Sequence, residues 1–236
     1  PAFLTIFANG LNGVPSTASA HSRLGGGTIL NQAPAYYEAG RIYMAVGKGG
    51  YVGLVRLEDG RLDVAAAFDP EFVRSSGGLG HAAERIVKEA GFPSLDLLAG
   101  RASDGVGLSL ARPANEDWKG TPALTRTPLS IAGPGWFAIG DAAGYVEPFT
   151  GEGMAWAISG AAAVVPFVQQ MLAGDTEAAV NGWTKQHAKI IARRQRTCRK
   201  LARLLRSPGV YGWMVRGLNW FPSLARPIVN ALNRKT

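Results

Sequence analysis

Cysteine is almost absent from this 236-residue chain. Cys198 stands alone, which excludes an internal disulfide framework and fits a reducing compartment. Histidine is nearly as scarce. His21, His81 and His187 are widely spaced and no cysteine pair accompanies them, so no zinc-type ligand set can be assembled from sequence. Charge is sparse too, at 18% against 47% hydrophobic residues, a balance that belongs to a globular chain rather than a disordered one. The chain opens at Pro1 without a basic n-region or an A-x-A site, and no signal peptide is expected. Gly153 to Gly174 carries no charge over 22 residues, long enough to weigh as a membrane span. Its alanines and glycines, with Pro166, Gln169 and Gln170, favour a buried helix instead.

Acid is missing from one end. After Thr184 there are 13 Lys and Arg and no Asp or Glu, whereas the preceding residues hold 12 basic and 17 acidic side chains. A mildly acidic body of charge −5 thus carries a strongly basic tail of charge +13, and the +8 net charge is their sum. An anionic partner is expected for that tail.

What is present concentrates in residues 136–157, WFAIGDAAGYVEPFTGEGMAWA. Trp136-Phe137-Ala138-Ile139 reads as a buried parallel strand bounded by Gly133-Pro134-Gly135. It ends at Gly140-Asp141, and the carboxyl end of a strand is where open α/β sheets bind ligands. Ten residues on, Gly151-Glu152-Gly153 opens the Ala-rich helix, with Met154 in its first turn. Glycine there admits a ligand to backbone N–H groups, and a helix start favours negative charge.

Strand, Gly-Asp, small residues, Pro148, Gly-Glu-Gly and helix, in that order, resemble the second FAD-binding motif of flavoprotein oxidoreductases. That group includes p-hydroxybenzoate-hydroxylase-like monooxygenases and geranylgeranyl-reductase-like enzymes, and Gly144 with Glu147 to Gly153 looks most like the reductase branch. The resemblance implies FAD as cofactor, with Asp141 on the ribityl chain and the helix start beside the pyrimidine ring. Gly140, Asp141, Pro148, Gly151, Glu152, Gly153 and Met154 are then the cofactor-binding residues. It also implies hydride transfer between the flavin and an unsaturated, apolar substrate, with NAD(P)H as electron donor. An FAD-dependent monooxygenase is the alternative, and a non-catalytic module binding anionic lipid or nucleic acid through the tail is the second.

Residues 1–19 read as the end of a first FAD-domain segment. Ala2 to Phe7 reads as a buried strand there, and Ala8-Asn9-Gly10-Leu11-Asn12-Gly13 as its turn. In the resembling family this turn carries an Asp-Gly pair near the cofactor phosphates; Asn9 keeps the hydrogen bonds without the charge. The family's G-x-G-x-x-G turn has no credible match. Gly78 to Ala83 fits the letters but follows no core strand, and Gly47-Lys48-Gly49-Gly50 lacks the spacing of a phosphate loop. The ADP half of FAD is therefore expected to rest on a further N-terminal segment or a partner chain.

Residues 20–130 read as an antiparallel substrate-binding layer. Strands are expected at Gly27–Leu30, Arg41–Val46, Tyr51–Leu57 and Arg61–Phe68, a hairpin turn at Glu58-Asp59-Gly60, a helix at Gly80–Ala90 and a polar connection over Ala111–Gly120. Tyr51 falls where the resembling reductases begin a Tyr-x-Trp-x-Phe-Pro strand that contacts a prenyl chain, and is the candidate substrate-binding residue. Gly53, Val55 and Arg56 depart from that pattern.

The remainder divides into residues 131–175, the FAD motif and helix, and 176–236, a basic helical region. Asp175 caps a helix expected to reach Arg206, with Trp183, His187, Ile190, Arg194, Cys198 and Leu201 on one face. Lys185, Lys189, Arg193, Arg196, Lys200 and Arg203 form the opposite stripe. Trp213, Trp220 and Phe221 lie among arginines beyond it, a mixture suited to a membrane interface, so lipid rather than nucleic acid is the expected partner. A cytoplasmic protein peripheral to the inner membrane face would follow. The fold class is α+β: an antiparallel substrate layer, the C-terminal part of a Rossmann-like, glutathione-reductase-type FAD domain, and C-terminal helices.

Overall fold

The computed structural model describes residues 4–95, 117–147, 149, 151–204, 216, 217, 220, 221 and 223. In chain order the first elements are β1 (Thr5–Phe7), β2 (Ser16–Ala18), β3 (Leu24–Leu30), β4 (Ile42–Gly47), β5 (Gly50–Arg56) and β6 (Leu62–Phe68). Helices α1 (Pro70–Ser76) and α2 (Leu79–Glu89) follow, then β7 (Lys119–Ala123), β8 (Arg126–Pro128), β9 (Ala132–Gly133) and β10 (Trp136–Ala138). Helices α3 (Gly153–Leu172), α4 (Thr176–His187) and α5 (Arg193–Leu204) complete the order. The chain forms two compact units, 21–123 and the two flanking segments 1–20 and 124–236.

The 21–123 unit is an antiparallel five-stranded sheet in the order β4-β5-β6-β3-β7. Hairpin-linked strands with alternating burial produce it. Val52, Leu54, Leu62 and Val64 point to one face, where Ala82, Ala83, Ile86 and Val87 of α2 cover them. Sequence underestimates this unit in three places. β3 starts at Leu24 rather than Gly27, because the preceding glycines fit a crowded strand position: a Cβ on Gly26 would come within 3.2 Å of Leu79 and Phe68. The expected connection over Ala111–Gly120 ends in structure instead: Lys119–Ala123 forms edge strand β7, where Pro122 is tolerated. Residues 70–76, to which no element was assigned, are α1, started by Asp69-Pro70 and closed by Gly77 in the left-handed region. Glu84 is a buried residue of α2; it accepts from Leu95 N–H (2.6 Å) and the Ser94 hydroxyl and pairs with Lys88 (2.9 Å).

In the second unit β1 pairs in parallel with β10, Ile6 opposite Phe137, and β9 joins β10 from its other side. Phe137 and Ala138 are fully buried, as the apolar run requires. β1 departs from expectation: it is the sheet edge, and Ile6 is 43% exposed. β8 also departs from it, since residues 126–128 pair with β2 of this unit instead of extending the antiparallel layer to residue 130. The Arg126 guanidinium fixes that pairing by donating to the Ser16 hydroxyl (2.9 Å).

Helix α3 buries Trp156, Gly160, Val164 and Met171 and leaves the opposite stripe open, with Met154 79% and Ile158 72% exposed. It is long and apolar enough to cross a bilayer by length and composition, and only one of its faces is buried in the fold. The expectation of a buried helix therefore holds for one face alone. α4 packs on α3 through Trp183, whose indole N–H donates to the Ala138 carbonyl (3.2 Å) at the end of β10.

The long C-terminal helix is interrupted by a π turn at Ala188–Ala192. The wider turn shifts the inward register by one residue. Ile191 and Gln195 are buried where Ile190 and Arg194 were expected, while Trp183, His187 and Cys198 face inward as the spacing predicts. Lys185, Lys189, Arg196 and Lys200 are exposed. Trp220 and Phe221 are exposed as well, and Trp213 lies outside the described residues.

Candidate active site

Strand β10 ends by delivering Ile139 and Gly140 to a short 3-10 turn, Gly140–Ala143. Gly140 takes a positive φ of 57°, which lets the chain turn sharply off the strand and aim Asp141 away from the core. Ala142 and Ala143 are buried under the turn. Gly144 follows at φ 115°, donates to the Asp141 carbonyl (3.2 Å), and presents its own carbonyl to the buried amide of Gln195 (3.0 Å). Tyr145 then exchanges backbone hydrogen bonds with Arg126 at 3.1 and 3.0 Å. Elements distant in sequence thus hold the loop at Gly144 and Tyr145.

These features open on a cavity of 380 Å³ lined by Ile139, Gly140, Asp141, Tyr145 and Ala157, the helix start Gly151, Gly153 and Met154, and Ala8 and Gly10 after β1. A volume of this order suits a small-molecule site. Asp141 is half-buried, and burial alone holds its carboxyl above the ordinary value. Among the described residues no donor bonds that carboxylate. The Glu152 side chain makes no capping bond to α3, so among the described residues the N–H groups of its first turn lie uncapped beside the same cavity. A Cβ on Gly10 or Gly151 would meet nothing within 4 Å. Among the described residues, an acceptor without a donor therefore shares a pocket with uncapped helix donors.

Five sequence candidates meet here: Gly140, Asp141, Gly151, Gly153 and Met154. Glu152 precedes the helix and accepts from Trp156 N–H (3.0 Å) through its carbonyl, but does not line the cavity. Pro148 lies outside the described residues. Tyr51 belongs to the other unit. It is 5% exposed, with the Arg23 guanidinium 5.6 Å from its ring centre, and Arg23 in turn binds Asp69 at 3.1 Å. That is a packed position rather than an open contact surface. Sequence reasoning missed Ala8, Ile139, Tyr145 and Ala157. Gly10 was visible as a turn glycine, and Tyr145, the only polar aromatic between the Gly-Asp pair and the helix, carried a signal that was passed over.

His187 is buried against Trp183, ring centres 5.5 Å apart, and desolvation pushes its pKa down to about 4. It is a neutral packing residue. Gln195 has the more direct bearing on the site. Gln195→Leu strands the Gly144 carbonyl, and a loss of about 1–3 kcal/mol in unfolding free energy is expected, the cost of one buried unsatisfied polar group. Urea denaturation of the two proteins measures it; an unchanged midpoint would mean the loop is held without Gln195.

Neither a protein-family model nor a curated protein sequence matches the chain. Solved structures do. The probable FAD-dependent monooxygenase PqsL of Pseudomonas aeruginosa aligns at TM-score 0.57 and 18% identity, over 89% of this chain and 59% of that one. The myxobacterial chondrochloren halogenase CndH, described as a variant of FAD-dependent halogenases, aligns at TM-score 0.60 and 18% identity, over 83% and 46%. The flavin-dependent halogenase CmlS aligns at TM-score 0.55 and 15% identity, over 79% and 34%. The chain is thus a mixed α/β protein sharing its fold with part of the flavin-dependent monooxygenases and halogenases. It spans less than two thirds of each of these structures.

Proposed function

We propose that this chain forms the flavin-ring side of an FAD-dependent oxidoreductase. The observation that carries the reading is the cavity in which the unpaired Asp141 carboxylate faces the uncapped start of α3. These residues fit the group. Asp141 would accept from ribityl hydroxyls, a charge-assisted bond that also offsets its desolvation. The N–H groups at Gly153 and Met154 would hold the electron-rich edge of the ring, where the helix dipole favours negative charge. Gly10, Gly140 and Gly151 keep the backbone open to it. The cofactor, when bound, supplies the redox chemistry; the chain supplies position, hydrogen bonds and field.

Between the finer readings, the similar folds favour an oxygen-using monooxygenase over a geranylgeranyl-reductase-like enzyme, whose support is the Gly144 and Glu147 to Gly153 resemblance. NAD(P)H is the proposed electron donor and a small apolar molecule the proposed substrate. The test uses the full-length protein: it should purify yellow, with stoichiometric FAD, and consume oxygen in step with NAD(P)H oxidation, faster with substrate. A colourless protein ends the flavin reading. Anaerobic substrate reduction without oxygen uptake restores the reductase.

The ADP half needs a cradle from outside these residues. Two apolar surfaces in this unit suit the supplier: the free edge of β1 with Ile6 exposed, and the open stripe of α3. The proposed supplier is a segment that adds a strand beside β1, from the same protein or a partner chain. For the basic region, the exposed Lys185, Lys189, Arg196 and Lys200 suit an anionic bilayer, at about 1 kcal/mol per contact near the surface. Full-length protein should therefore co-sediment with anionic but not neutral vesicles, and replacing Lys185, Lys189, Arg196 and Lys200 by glutamine should weaken this; equal binding to both kinds of vesicle, or by both proteins, would leave these residues a solvated face only.

A further inference from the structure

The geometry points to Tyr145 as the hydroxyl donor of the cavity, hydrogen-bonding an acceptor of the flavin ring, a carbonyl oxygen or ring nitrogen, seated against the start of α3. The inference rests on the flavin reading above and names a contact that reading does not require. Its first support is the way the residue is held. Both backbone groups of Tyr145 bond to Arg126, Gly144 before it is fixed by Gln195, and Arg126 is itself anchored on Ser16. A side chain mounted on so constrained a backbone has little freedom to leave the cavity wall.

Its second support is where the ring lies. The Tyr145 Cε2 is 4.0 Å from the position a Cβ would take on Gly153, so the ring rests beside the first residue of α3. Any ligand approaching the N–H groups there passes along the edge of this phenol. Tyr145 and Asp141 line the same cavity, and among the described residues no acceptor takes the Tyr145 hydroxyl.

Chemistry supplies the third. Asp141 offers only acceptor oxygens, which match the hydroxyls of a polyol chain and repel the acceptor edge of a ring. A donor is wanted on the ring side, and a neutral one, because a cation there would neutralise Asp141 rather than orient the ligand. Burial first, and then the charges of Asp141 and Glu147, push the Tyr145 pKa up to about 12, so the phenol keeps its proton throughout the physiological range. The side chain is thus a donor at every working pH.

Tyr145→Phe removes the O–H and leaves the ring and the backbone pairing in place. Full-length wild-type and variant proteins, stripped of cofactor, are titrated with FAD and separately with ADP. The expected result is about tenfold weaker FAD binding, equivalent to about 1.4 kcal/mol and within the range for one neutral hydrogen bond, with ADP affinity unchanged. Equal FAD affinity in the two proteins overturns the contact. Parallel loss of FAD and ADP affinity also overturns it, because the hydroxyl would then be serving the loop rather than the ring. Failure of wild-type protein to bind FAD at all would remove the flavin reading itself, and this inference with it.

Discussion

Trp183→Ala is expected to lower the unfolding free energy by about 3–5 kcal/mol, the range for emptying a large aromatic site in a packed core. Trp183 is fully buried, the largest such side chain among the described residues. It touches Phe167 of α3 at a ring-centre distance of 6.1 Å and His187 of its own helix at 5.5 Å. Its indole N–H also satisfies the Ala138 carbonyl, the last of β10 before the Gly-Asp turn. One side chain therefore joins the sheet, the apolar helix and the basic C-terminal helix. Trp183→Phe separates the two contributions: it keeps most of the apolar volume and should cost about 1–3 kcal/mol through the stranded carbonyl and the smaller ring. Thermal or urea unfolding of both variants measures the pair. A cost below about 1 kcal/mol for the alanine variant would mean that α4 is not part of the cooperative unit.

The docking of α4 shows how far periodicity carries and where it stops. Steps of three and four placed Trp183 and His187 inside, because a regular helix repeats its face every 3.6 residues. The same arithmetic chose Ile190 and Arg194 for the next turns, and the fold uses Ile191 and Gln195. A π turn adds one residue to the count, and no local propensity announces it. The slip has a consequence at the site, since it brings Gln195 rather than a guanidinium to the Gly144 carbonyl. The antiparallel layer was legible for the opposite reason. β4, β5 and β6 are short, largely apolar runs between strong turn signals, so each local preference agrees with the sheet. Strand β7 was hidden because an edge strand can be polar and contain Pro122. The exposure of Ile6 and of one α3 face was hidden as well. Composition says that a surface is apolar and is silent on what covers it.

The Gly-Asp turn was legible because a glycine at positive φ followed by a carboxylate at a strand end is a distinct local pattern, and Asp141 provides the sharpest test of the proposed function. Asp141→Ala should weaken FAD binding by about 1.5–3 kcal/mol, a factor of roughly 10 to 150, the range for a hydrogen bond to a charged group. Asp141→Asn keeps an acceptor and should lose less. Stability should move the other way. The carboxyl pKa is raised by burial, so its ionised form is disfavoured in the cofactor-free fold. For an acid shifted upward, the neutral form favours the fold: the contribution is present below the unfolded pKa and is lost as pH rises through the folded one. At neutral pH the wild-type side chain therefore carries a cost that Asp141→Asn relieves. The cofactor-free variant should unfold at an equal or higher temperature than wild type, and the difference should vanish in acid, where both side chains are neutral. Cofactor titration and thermal melts across pH on the same full-length preparations read both effects. A variant that loses FAD affinity and stability together would make Asp141 a structural cap of the turn. Loss of affinity with stability retained assigns it to the ligand, because a residue kept at a cost to the empty fold is kept for what it binds.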